Sequence, residues 1–234
     1  MGQGEKDMKK QAPEINGNLR SHMIKVPHVI RDASGIIVLG KRIKSLVFST
    51  DVAVIRNSNA DAIMAVYPFT PQPLITAALV MSADVPVFCG VGGGVTTGKR
   101  VVNLALDAEF KGAIGVVLNN PTPNYVLEQV RQTIDIPVVV TVVSEYEDIQ
   151  SRINAGADIL NVSGAKRTTE IVRGIREQYP NIPIIATGGP TDETIKETIE
   201  AGANAITYTP PSSADLFSEL MVKYRKIHKE EAMD

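Results

Sequence analysis

Asn181-Ile182-Pro183-Ile184-Ile185-Ala186-Thr187-Gly188-Gly189, followed one helix-length later by Gly202-Ala203-Asn204-Ala205-Ile206, contains both phrases from which this chain is built. The first phrase is an acid or Asn, a β-branched residue, Pro and an apolar run. It recurs upstream as Asp84-Val85-Pro86-Val87-Phe88 and Asp135-Ile136-Pro137-Val138-Val139-Val140. The second is a small residue, Ala, often Asp or Asn, and another apolar run. It recurs as Asn59-Ala60-Asp61-Ala62-Ile63-Met64, Gly112-Ala113-Ile114-Gly115-Val116-Val117 and Gly156-Ala157-Asp158-Ile159-Leu160. Short apolar runs separated by segments of helical period are the pattern of a parallel sheet covered by helices.

Counting the runs gives eight strands, near 45–49, 61–67, 86–91, 113–119, 137–143, 157–162, 183–187 and 204–209. Eight parallel strands close a barrel, so the expected fold is an α/β (βα)₈ TIM barrel; the alternative is an open doubly wound sheet. Pro at the first strand position costs no ladder donor, and Gly112, Gly156 and Gly202 end the preceding helices. Ser144-Glu145-Tyr146-Glu147 reads as a capping box opening the helix after the fifth strand, and Ser212-Ser213-Ala214-Asp215 as a looser one opening the last. Ser34-Gly35-Ile36-Ile37-Val38-Leu39-Gly40 reads as either an extra strand or a plug beneath the barrel.

The 234 residues suit one such domain, and 44% hydrophobic with 21% charged residues is ordinary globular composition. Residues 1–22 read as a flexible tail ahead of a single domain over 23–234. Ser21-His22-Met23 has the look of a vector junction, which would make Met23 the natural start. A net charge of -2 argues against broad attraction to nucleic acid. One cysteine, Cys89, rules out an intramolecular disulfide and fits a reducing compartment, with the cytoplasm as the default. No apolar run reaches the roughly 20 residues of a membrane span.

Functional residues of this fold come from strand C-termini and the loops after them. There the sequence supplies hydroxyls and amides and few carboxylates or histidines, so a metal site is not expected. Glu145 and Asp51 are the rim acids near strand ends and hence the candidate proton-transfer groups. Each has a rival explanation in a helix start, where carboxylates cap amides and meet the positive end of the dipole. Asn119, Asn161 and Thr187 are candidates for orienting substrate oxygens. Gly93 to Lys99 matches G-x-x-x-x-G-K, but Arg100 stands where nucleotide hydrolysis needs Ser or Thr for magnesium. A weaker reading survives, in which amides at this helix start hold an anion beside Lys99; the plain one is a glycine-rich lid. Cys89, inside an apolar strand and without a histidine partner, reads as core.

Ile184 to Thr191, with Ala201 to Ile206, resembles the last two strands of the ribulose-phosphate-binding barrels. In that superfamily paired glycines let backbone amides approach a phosphate, a role the resemblance assigns to Gly188 and Gly189. Those families usually end the eighth strand with Gly and then Ser or Thr, whereas this chain reads Tyr208-Thr209-Pro210-Pro211-Ser212-Ser213. The prolines lack amide donors, so Thr209, Ser212 and Ser213 would have to complete the cup. The related Schiff-base aldolases carry a lysine inside the sixth strand; here that strand offers Asn161 and Ser163, with Lys166 in the following loop. The strand-eight glycine of flavin-dependent barrels is missing, and no cofactor is implied. The whole chain also resembles a group of bacterial barrels loosely labelled hydrolases. These likenesses imply a metal-independent lyase, isomerase or hydrolase of a small phosphorylated or carboxylated metabolite, with homo-oligomerisation possible. The alternative is a ligand-sensing regulator without catalysis, similar to the glycerol-operon antiterminators.

Overall fold

The computed structural model describes residues 13, 15, 17 and 23–231, so that nearly all of the expected tail lies outside the described residues. A short antiparallel hairpin, β1 (Ile36–Val38) and β2 (Lys41–Ile43), comes first. Eight parallel strands follow: β3 (Ser45–Phe48), β4 (Ala62–Ala65), β5 (Val87–Gly92), β6 (Gly115–Leu118), β7 (Val138–Val142), β8 (Ile159–Val162), β9 (Ile184–Thr187) and β10 (Ala205–Tyr208). Each pairs with the next and β10 pairs with β3, which closes the barrel predicted from the repeats and excludes the open sheet. The helices between them are α1 (Val52–Arg56), α2 (Pro73–Ser82), α3 (Lys99–Phe110), α4 (Asn124–Thr133), α5 (Ile149–Asn154), α6 (Thr168–Gln178) and α7 (Asp192–Glu200), and α8 (Ser213–Glu231) follows the last strand.

The repeated phrases have a physical reason in the strand starts. Each proline gives no amide, but its carbonyl begins the ladder: Pro86 O accepts from Ile63 N at 2.8 Å, Pro137 O from Val116 N at 3.0 Å and Pro183 O from Leu160 N at 3.0 Å. The acid or Asn of the second phrase reaches back to the strand before it and accepts the amide that would otherwise be orphaned there. Asp61 Oδ2 takes Lys44 N at 2.8 Å and Ser45 N at 3.0 Å, Asp158 Oδ2 takes Val138 N at 2.8 Å, and Asn204 Oδ1 takes Ile184 N at 2.9 Å. These acids stitch the lower rim and do not reach the functional end.

Alternation along the strands divides the core in two. Outward residues, Cys89 among them, pack under the helices. Inward residues Leu46, Ala62, Met64, Phe88, Val117, Val139, Ile159, Ile185 and Ala205 fill the lower barrel, and Ile36, Val38 and Ile43 of the hairpin close it from below. Both readings of residues 34–40 hold: Ile36–Val38 is an extra strand, paired with β2 outside the barrel, and the hairpin plugs the base. It is fastened by Gly35 N donating to Asn204 O at 2.8 Å and by Asn204 Nδ2 donating to Ser34 Oγ at 3.0 Å.

The two capping boxes fare differently. Ser212 and Asp215 form the reciprocal pair at the start of α8, each side chain accepting the other's amide. Glu147 instead folds its own turn, accepting from Val143 N and Ser144 N, and α5 starts one turn later with Asp148 as its cap. The box-like spacing is real, but the amides it captures belong to the end of β7. No described helix is long and apolar enough to cross a membrane.

Candidate functional site

Above the apolar fill, the inward positions turn polar. Thr141 of β7, Asn161 of β8 and Thr207 of β10 are 8%, 8% and 6% exposed, with Thr187 of β9 and Asn119 just beyond β6 half-buried beside them. Register sets these ring positions in two pairs, Thr141 level with Asn161 and Thr187 with Thr207, while across β9 Asn161 is level with Ile185. Asn161 Nδ2 donates to Thr141 Oγ1 at 3.3 Å and Thr187 Oγ1 donates to Ser163 Oγ at 3.4 Å. Asn161 Oδ1 and Thr207 Oγ1 are buried with no hydrogen-bond partner. A buried polar atom left unpaired costs about 1–3 kcal/mol, and such atoms concentrate where a ligand or an ordered water completes them.

A cavity of about 440 Å³ opens beside this ring over the ends of β4, β5 and β6. Its walls are the loop Val66 to Pro71, the glycine segment Gly90 to Thr96, and Asn119 with Pro121. The glycine segment folds into a tight turn. Gly93 N donates to Thr96 O at 3.1 Å and Thr96 N to Gly93 O at 3.4 Å, a two-residue hairpin whose positive φ angles of 119° at Gly93 and 63° at Gly94 call for glycine. Thr96 Oγ1 donates to Thr70 Oγ1 at 3.1 Å and ties the hairpin to the facing loop. A Cβ on Gly93 would stand 2.4 Å from the Asn119 Cβ, so this close approach holds Asn119 where ring and cavity meet.

The ring gathers Asn119, Asn161, Ser163 and Thr187 of the residues expected from sequence, with Thr209 exposed just past the end of β10. Thr207 escaped the sequence reading, although the alternation Ala205, Thr207, Thr209 carries its signal. Gly188 is buried against the outer layer: a Cβ there would lie 2.7 Å from both Ile195 Cγ1 and Ile206 Cγ2. Gly189 has φ 82° and its Cβ would meet Thr194 Oγ1 at 2.6 Å, so both glycines bring α7 close to the strand ends. Lys99 is the first residue of α3 and exposed, and Lys166 is exposed in the 3₁₀ turn after β8, three residues beyond Ser163.

The two rim acids sit apart from the ring. Asp51 caps α1, its Oδ1 accepting from Ala53 N and Val54 N, while Oδ2 accepts the Ser213 hydroxyl and ties α8 to α1. The Ser213 hydroxyl first, then the backbone amides, hold its carboxyl below the ordinary range. Ser212 is likewise engaged, donating to Asp215 Oδ2 at 2.6 Å. Glu145 lines a groove between α5 and α6 with Glu170 and Tyr179, and it pairs with Arg167, whose hydrogen bond is the main cause of its lowered pKa. Burial pushes the Cys89 thiol up to about 12, the state of a core residue rather than a nucleophile. Among the described residues no group of three or more His, Cys, Asp or Glu side chains is placed to hold a metal ion.

No family model matches the chain. A segment of 62 residues, 25% of the chain, is 39% identical to an inosine-5'-monophosphate dehydrogenase of Halalkalibacterium halodurans, and the match spans 13% of that relative's length. Among solved structures, the chain is similar to a phosphonopyruvate hydrolase at a TM-score of 0.63 and 11% identity, over 87% of this chain and 86% of that one. It is similar to a thiamine phosphate pyrophosphorylase from Pyrococcus furiosus at 0.54 and 20%, over 70% and 84%. A mandelate oxidase with an FMN adduct gives 0.59 and 18%, over 76% and 68%. At these identities the likeness is one of fold: a TIM barrel that these enzymes share.

Proposed function

We propose that this protein is a metal-independent enzyme of a small phosphorylated or carboxylated metabolite that also carries hydroxyl groups, working by aldol-type cleavage, isomerisation or hydrolysis. The observation that carries this reading is the pair of buried, unpartnered oxygens, Asn161 Oδ1 and Thr207 Oγ1, in the barrel mouth. Asn161 Oδ1 asks for a donor such as a substrate hydroxyl, and the Thr207 hydroxyl can give or take. Thr187, Ser163 and Asn119 stand ready to fix neighbouring oxygens. The anion would sit at the rim, with Gly188 and Gly189 amides or the exposed Lys99 and Lys166 as its candidate holders. Lys166 has no hydrogen bond among the described residues and is free to turn toward Ser163, whereas Glu145 must first release Arg167 and Asp51 its cap before either could move a proton. Several proteins of like fold are named for substrates of this chemistry, phosphonopyruvate and thiamine phosphate among them.

A second reading, a ligand-sensing barrel without catalysis, draws support from the ring itself, which contains no titratable side chain. One experiment separates the two. A panel of phosphorylated and carboxylated metabolites is screened by thermal shift, and hits are incubated with the protein and followed by NMR. The enzyme reading expects a hit that is stabilising in wild type, is lost in Asn161→Leu, and is turned over with a rate reduced in Lys166→Ala. A stabilising hit that is never converted supports the sensor. Shifts that survive Asn161→Leu refute the mouth as the site.

A further inference from the structure

Helix α2 reads Pro73-Leu74-Ile75-Thr76-Ala77-Ala78-Leu79-Val80-Met81-Ser82, without a single ionisable side chain. A helix apolar around its whole circumference belongs inside a protein. Its inner side does pack on the barrel through Thr76 and Leu79, but Leu74, Ala78 and Met81, spaced at i, i+4 and i+7, form an outer stripe open to solvent. Leu74 is 80% exposed and Met81 85%. Phe110, the last residue of neighbouring α3, is 78% exposed, and it lies at the same end of the layer as Val80, which touches Gly112.

Beside this ridge runs a groove of about 510 Å³ lined by Pro73, Arg100, Asn103, Leu104 and Asp107. Asp107 Oδ1 pairs with Lys111, but Asp107 Oδ2 is buried with no partner. Arg100, on the same groove, has no ion pair among the described residues. The face therefore presents an uncharged ridge, a groove of matching scale, one unpaired cation and the part-exposed Asp107 side chain, whose Oδ1 Lys111 also holds.

We propose that this face is the contact of a two-fold homodimer. The α2 ridge of each copy seats in the α2–α3 groove of the other, and Arg100 of each reaches the partner's Asp107. A two-fold axis brings a patch against itself, so ridge, groove, cation and anion must all lie on one surface, as they do here. Ridge-into-groove seating is the ordinary way two helix layers pack. The ridge offers nothing to a charged partner, which disfavours nucleic acid or an acidic peptide. Leu74, Met81 and Phe110 alone expose on the order of 500 Å², more than half of the roughly 800 Å² per partner of a standard interface.

The test is sedimentation velocity of the full chain over a wide concentration range. Wild type is expected to dimerise. Leu74→Glu and Met81→Glu, each placing two charges in the apolar centre, should each raise the dissociation constant on the order of 10- to 100-fold. Both positions are exposed in the monomer, so circular dichroism and melting of the isolated monomer should not change. Arg100→Asp alone should weaken the dimer, and adding Asp107→Arg should restore it, because the pair is then reversed across the axis. A monomer at every concentration overturns the proposal. So does a dimer indifferent to both glutamate substitutions, or a monomer whose α2 face binds lipid vesicles instead.

Discussion

Replacing Thr207 with Val should make the protein more stable and its mouth less useful. Thr207 is 6% exposed and its Oγ1 has no partner among the described residues. Valine keeps the shape and removes the unpaired group. The unpaired cost is about 1–3 kcal/mol in a sealed core, and at a mouth where water can approach, the lower end applies, about 1 kcal/mol. For a domain of this size that is a melting shift of about +2 to +4 °C. Thr141→Val is the matched control with the opposite sign. Thr141 Oγ1 accepts from Asn161 Nδ2 at 3.3 Å, and its loss leaves the Asn161 amide group unpaired as well, a cost of about 1–3 kcal/mol. Denaturant melts of the two variants beside wild type give both numbers, and the thermal shift from a bound metabolite should shrink in Thr207→Val. A Thr207→Val protein that loses more than about 1 kcal/mol would mean that the hydroxyl is already satisfied in the folded state. Asn161 Oδ1 would then be the one unpaired oxygen left to the proposed ligand among these described ring residues, and Thr207 would no longer support one.

Three other outcomes follow from contacts elsewhere. Gly188→Ala should cost about 1–3 kcal/mol by overpacking, because its Cβ would stand 2.7 Å from Ile195 and Ile206; a chemical melt indistinguishable from wild type would show that α7 can move away. Arg167→Gln should raise the Glu145 pKa back toward the ordinary carboxylate range, read by carbon-13 NMR of the side chain. The lowered pKa means that the pair's contribution is present above the unfolded-state value and fades as pH falls through the folded-state one, so the variant should lose its difference from wild type in acid. Cys89, with its thiol pushed up to about 12, should resist thiol reagents in the native protein and react only at the rate of unfolding; fast labelling would contradict its burial.

The closed barrel was legible because its repeat is a backbone device. A proline at a strand start drops an amide that the ladder does not use and keeps the carbonyl that it does, and an Asp or Asn on the next strand accepts the amide left over. Pro86, Pro137 and Pro183, with Asp61, Asp158 and Asn204, therefore recur at fixed places in the chain. The hairpin plug was half legible. Its apolar residues, Ile36, Val38 and Ile43, were visible, but that their hairpin fills the base of the barrel depends on inward residues of other strands, small Ala62 and Ala205 among them.

At the mouth the positions of the acids were legible but not what holds them, for a reason built into the architecture. Each loop above a barrel strand leads into a helix N-terminus, where an acid caps amides and meets the positive end of the dipole. An acid at a strand end is thus expected on structural grounds even when no chemistry needs it. Asp51 and Asp148 both act as such caps, and Glu147 captures the amides leaving β7. Acidity at the rim therefore carries little information about function in this fold, because capping already explains it, and polarity on the inward register carries more. Thr207 and Asn161 occupy positions that on every neighbouring strand one step below are filled by Val, Ile, Leu or Ala. No capping or ladder requirement puts a hydroxyl or an amide there, and this is the ground on which a molecule entering from above is proposed.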